Sequence, residues 1–117
     1  MKKLKDLLTE ATYGYDDISE VAEKQFKMIA SKLKTYKNLK SVKTYDNSPT
    51  LFQIKIKDNT NEDEYDIFIS KESKRGTNAR GNIWISTLGQ YKSPYTLKNK
   101  GSVYWKPEEV IVWAKSL

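Results

Sequence analysis

The chain has 117 residues, of which 38% are hydrophobic, and carries a formal net charge of +6 from 21 basic and 15 acidic side chains. That length fits one small domain able to bury roughly two-thirds of its unfolded surface, and the basic balance favours an anionic partner, nucleic acid or an acidic protein surface. With neither cysteine nor histidine, the chain has no disulfides, no usual zinc site and no histidine-activated nucleophile.

In chain order, Leu4, Leu7, Leu8 and Ala11 recur at helical spacing and predict a short amphipathic helix that ends before Gly14. A helix so short is marginal alone and must dock or fray. Asp17 followed by Glu20 reads as a capping box for a second helix. Its apolar stripe comprises Ile18, Val21, Ala22, Phe26, Ile29, Leu33 and Tyr36, and its end is expected near Asn38. Leu39 to Tyr45 predicts a weak first strand, turned by Asp46, Asn47, Ser48 and Pro49.

The stretch from Leu51 to Ile85 organises the rest. Phe52, Ile54 and Ile56 alternate with Gln53, Lys55 and Lys57; Tyr65, Ile67 and Ile69 repeat the pattern, and Ile83 and Ile85 return to it. This period of two predicts strands with one dry and one wet face. The dry face takes Phe52, Ile54, Ile56, Ile67, Ile69, Ile83 and Ile85, because a slip of one residue would turn a whole set towards water. The opposite face then holds Gln53, Lys55, Lys57, Asp66, Phe68, Ser70, Asn82, Trp84 and Ser86, with Phe68 and Trp84 as its apolar exceptions.

Asp58 to Glu64 carries four carboxylates in a polar hairpin connection, but lacks the glycine and the length of a calcium-binding EF-hand loop. Lys71 to Gly81 is read as a long connection bearing Lys74, Arg75 and Arg80. Gly89 to Gly101 interleaves Tyr91, Lys92, Tyr95, Lys98 and Lys100, the mixture in which rings stack on bases while ammonium groups meet phosphates. Ser102 to Trp105 suggests a last edge strand. Pro107, Glu108 and Glu109 open a C-terminal helix with Val110, Trp113, Ala114 and Leu117 on one stripe and Trp113 directed at the sheet.

The candidate site is a composite nucleic-acid-binding surface of Lys55, Phe68, Arg75, Arg80, Trp84, Tyr91, Lys92 and Tyr95. The competing arrangement lays a terminal helix over that face and makes Phe68 and Trp84 core residues. Asp46, Gln53 and Lys55 echo a restriction-type nuclease core, but a glutamine stands where an acid is usual, and the chain is read as non-enzymatic, with no metal and no cofactor.

Residues 1–11 carry a further pattern: Met1, Lys2, the amphipathic run Leu4 to Leu8, then Leu8-Thr9-Glu10 before Ala11. This resembles the capsid-targeting leader of internal head proteins in large tailed phages, which the prohead protease cuts after a glutamate preceded two positions earlier by leucine or isoleucine. The resemblance implies processing after Glu10, loss of three lysines and two carboxylates, and a mature charge of +5.

The expected fold is a single α+β domain over residues 1–117: two N-terminal helices, an antiparallel sheet of four or five strands, and a C-terminal helix, with 1–14 separable as a leader or docking helix. No apolar run reaches the ~20 residues needed to span a bilayer, so the expected location is the cytoplasm, that of the host or the virion if the chain is phage-encoded. The expected function is nucleic-acid binding. The alternative is a phage-encoded protein-interaction module, or a head-packaged internal protein, acting on a host factor.

Overall fold

The alternation in Leu51–Asp58 and Glu64–Ser70 sets the architecture, since each strand has an apolar face that must be covered. The computed structural model describes residues 15–74, 81–87, 90–92 and 104–117. The elements are β1 (Tyr15–Asp17), α1 (Ser19–Leu33), β2 (Leu39–Tyr45), β3 (Leu51–Asp58), β4 (Glu64–Ser70), β5 (Glu72–Lys74), β6 (Ile83–Thr87), β7 (Gln90–Lys92) and α2 (Pro107–Lys115). A five-stranded antiparallel sheet has the order β2-β3-β4-β6-β7, and β1 pairs with β5 in a separate two-stranded ribbon. The fold is α+β, as expected.

The inner face of the sheet is the one anticipated. Phe52, Ile54, Ile56, Tyr65, Ile67, Ile69, Ile83 and Ile85 are all buried. Over them lie Ala22, Ile29, Ala30 and Leu33 of α1 and Val110 and Ala114 of α2. Phe26 stacks on Phe52 with ring centroids 4.5 Å apart, and Trp113 meets Tyr65 edge-on at 5.0 Å and Trp105 at 5.5 Å. Each fully buried isoleucine contributes about 1.5–3 kcal/mol of transfer free energy, so this layer of side chains holds the helices to the sheet. Asn38 adds a polar tie, its Nδ2 donating to the carbonyls of Ala114 at 2.8 Å and Leu117 at 3.2 Å at the end of α2.

The start of the chain differs from expectation. Ahead of the sheet stand β1 and one helix, α1, rather than two helices; the residues of the other predicted helix, 4–11, lie outside those described. Asp17 closes β1 and is not the cap itself. Ile18 occupies the N-cap, and the Asp17 carboxylate accepts the Ser19 backbone N–H at 2.9 Å and its hydroxyl, a local Asx turn that sets the helix in motion. Those two hydrogen bonds, the hydroxyl's first, hold the Asp17 carboxyl below its usual range. The helix stops at Leu33, earlier than expected, and passes through turns to Tyr36. Val21, assigned to the buried stripe, is 52% exposed.

Two connections also carry more structure than their composition suggested. Glu72–Lys74, the first part of the basic Lys71 to Gly81 connection, is β5; it pairs with β1, and the backbone of Ile18 continues the ribbon by donating to Lys71 O at 2.8 Å. Gln90–Lys92 is β7, the last strand of the sheet. Ser102 to Trp105 supplies, among the described residues, only a bridge from Tyr104 to Trp84, followed by a hydrogen bond from Trp105 N to Ile83 O at 2.8 Å. In the β3–β4 turn, Asp58 is buried and its Oδ1 accepts the Thr60 N–H at 2.7 Å, so this carboxylate closes the hairpin.

Candidate nucleic-acid interface

Residues directly opposite each other on antiparallel strands project from the same face. Reading the register across the sheet therefore gives rows on the outer face, the one opposite both helices. One row runs Tyr45, Gln53, Phe68, Trp84 and, across the bridge, Tyr104. The next runs Lys43, Lys55, Asp66 and Ser86. A third has Ser41, Lys57 and Glu64. An aromatic row thus lies beside a row that begins with two lysines.

Phe68 and Trp84 are half-buried, with their rings stacked at 5.6 Å and 27°. Among the described residues both helices pack on the opposite face, so neither ring belongs to the helix-covered core. Tyr45 is 40% exposed at the far end of the row. Gly81 lies against Tyr104: its φ of +143° is one that other residues rarely adopt, and a Cβ there would sit 3.3 Å from Tyr104 Cβ.

Lys55 lies where the strand pattern put it, but its ammonium is 3.9 Å from Asp66 Oδ1 and so is partly neutralised. Asp66 Oδ1 also accepts a hydrogen bond from Gln53 Nε2 at 2.9 Å. Lys43 is exposed at the neighbouring edge. Lys40 is engaged with Glu62; that contact, with Lys57 nearby, holds the Glu62 carboxyl below its usual range. Asn82 departs from its expected place. Parity placed it on the outer face, but it precedes β6, is buried, and donates through Nδ2 to Gln25 Oε1 of α1 at 2.6 Å and to Ser70 O at 3.2 Å.

Tyr91 and Lys92 are in β7, which brings their backbone alongside Ser86 and Ile85. Arg75, Arg80 and Tyr95 lie outside the described residues, as does Glu10 with its candidate cleavage position. The segment with Arg75 and Arg80 is joined to the described chain at Lys74 and Gly81, and that with Tyr95 at Lys92 and Tyr104. Tyr104 bridges to Trp84 at the end of the aromatic row, and Gly81 lies against Tyr104. Tyr45 and Tyr104 escaped the sequence reading. Tyr45 sits in a weakly patterned edge strand, and Tyr104 joins the row through a single bridge that no local pattern announces.

Elsewhere, a recess of about 200 Å³ lies among Asp17, Ser19, Pro49, Lys71 and Glu72. It falls below the ~300 Å³ of usual small-molecule pockets, and its Lys71 ammonium is already held by Ser48 O at 2.7 Å and by the Phe52 ring at 4.3 Å. A groove of about 520 Å³ is bordered by Lys32, Tyr36, Lys37, Asn38 and Lys115; Lys32 and Lys115 there occupy the last turns of α1 and α2, where they offset the helix dipoles. Among the described residues no acidic cluster suited to a metal ion is found, and no helix is long and apolar enough to cross a membrane. No family model, curated protein or solved structure matches this chain.

Proposed function

We propose that the protein is a non-enzymatic binding protein for single-stranded nucleic acid, which lies across the outer sheet face. The observation that carries this reading is the aligned row Tyr45, Gln53, Phe68, Trp84 and Tyr104 on the face opposite both helices. A soluble sheet has little reason to hold four aromatic side chains in register on its outer side, whereas unpaired bases stack on such platforms for about 1–3 kcal/mol each. Bases within a duplex cannot reach a flat sheet in this way, which is why single strands are the favoured substrate.

Lys43 and Lys55 in the adjoining row meet the phosphates. The +6 charge supports the same partner. The test is fluorescence anisotropy with end-labelled 12-nucleotide single strands of DNA and RNA and the matching duplexes. The expected result is tighter binding to single strands. Equal or stronger binding to the duplex contradicts stacking as the mode of recognition.

A second reading rests on the outer edge of β2, which has no partner strand among the described residues and is flanked by Lys40 and Lys43. Such an edge accepts an extended segment of an acidic protein by strand addition. This is the protein-interaction role, including that of a head-packaged phage protein acting on a host factor. Pull-down of a protein partner that is lost when proline replaces Val42 distinguishes it.

A further inference from the structure

Gln53 is the one polar member of the aromatic row, placed on β3 between Tyr45 of β2 and Phe68 of β4. Neighbouring strands lie about 4.8 Å apart, so the two flanking aromatic positions are about 10 Å apart across the glutamine. That span admits a base with one face against a ring and its edge over the amide.

The amide orientation is fixed. Gln53 Nε2 donates to Asp66 Oδ1 at 2.9 Å, and a carboxylate can only accept, so the nitrogen and not the oxygen faces Asp66. Lys55 Nζ lies 3.9 Å from the same Oδ1. Oε1 and the second N–H of Gln53 have no partner among the described residues. They are an acceptor and a donor on one amide, at a position flanked by two aromatic positions in register, and this is the kind of pair with which glutamine recognises adenine through its N6–H and a ring nitrogen.

We infer that Gln53 reads a base laid between Tyr45 and Phe68 and gives the surface a preference for adenine-bearing single strands, with Asp66 as the positioning residue. The inference rests on the single-strand reading of the outer face. It assigns separate tasks along one row: Phe68 and Trp84 supply affinity indifferent to sequence, and Gln53 supplies discrimination. Lys55, beside its place in the basic row, is then also the counter-ion of Asp66.

The experiment is a set of fluorescence titrations of the full chain with 12-nucleotide homopolymers of dA, dC and dT at fixed salt. Wild-type protein, Gln53→Ala and Asp66→Ala are compared, with far-ultraviolet circular dichroism confirming that each variant is folded. The expected result is a preference for dA of roughly 5- to 150-fold, the range of one good bidentate contact. It collapses in Gln53→Ala and shrinks in Asp66→Ala. Equal binding of the three polymers by wild-type protein, or a dA preference that survives Gln53→Ala, overturns the inference while leaving the stacking surface standing. Absence of binding to every polymer overturns the surface and this inference together.

Discussion

Phe68 and Trp84 face each other across β4 and β6, their rings stacked 5.6 Å apart on the side of the sheet that neither helix covers. Each residue lies in a strand whose alternate positions are fully buried isoleucines, Ile67 and Ile69 in one and Ile83 and Ile85 in the other. The same pleat that drives those isoleucines inward must present these two rings outward. The platform is therefore a consequence of the core, and its stability follows that of the core.

Truncation of the inner layer tests this dependence. Ile54→Ala or Ile67→Ala removes a side chain with no exposed surface and should cost about 2–5 kcal/mol in chemical denaturation. Phe68→Ala, on the outer face and half-exposed, should cost markedly less while weakening single-strand binding. A Phe68→Ala loss as large as that of Ile67→Ala would place Phe68 in the core.

The tie between α2 and the start of β2 depends on Asn38, which donates to two carbonyls at the end of α2. Asn38→Ala leaves both without that donor, and a loss of about 1–3 kcal/mol is expected. Hydrogen exchange should show the loss concentrated in the last turn of α2.

Gly81 holds the conformation that lets the chain enter β6 behind Tyr104. Gly81→Ala should destabilise by more than ~1 kcal/mol, because the alanine must adopt a strained φ as well as press on Tyr104. Denaturant midpoints measure this, and single-strand affinity should fall with it.

The phenol of Tyr65 is held above its ordinary value by burial and, less strongly, by the Asp63 and Asp58 carboxylates. A phenol raised in the folded state contributes stability that is complete below the unfolded pKa of about 10 and is lost as pH rises through the folded value. Stability should therefore decline above about pH 10. In Tyr65→Phe the decline should be shallower, as read from urea midpoints at pH 8 to 11.

Most of the sheet was legible because isoleucine alternates strictly in β3, β4 and β6, and period two leaves one choice of face. The second helix was equally plain from Pro107, Glu108 and Glu109. Less legible was the ribbon of β1 and β5: Tyr15–Asp17 and Glu72–Lys74 are short and polar, and their long-range pairing is continued by the bond from Ile18 to Lys71. Asn82 was misplaced because parity holds only inside a strand, and it stands one residue before β6. Of the candidate site, Lys55, Phe68 and Trp84 followed from alternation. The aromatic row as a unit did not, since it depends on the register of four strands and one bridge.

Stacking of bases on the outer face is read most directly by tryptophan fluorescence. Trp105 is buried and Trp113 packs against Tyr65 and Trp105 on the helix side, which leaves Trp84 as the reporter on the outer face. Titration with a single-stranded 12-mer at two salt concentrations should quench the emission. Affinity should fall as salt rises, by about 0.7 logarithmic unit per tenfold salt for each phosphate neutralised, and the quench should vanish in Trp84→Ala. Emission unchanged at saturating oligonucleotide in low salt, or a quench that persists in Trp84→Ala, would contradict it.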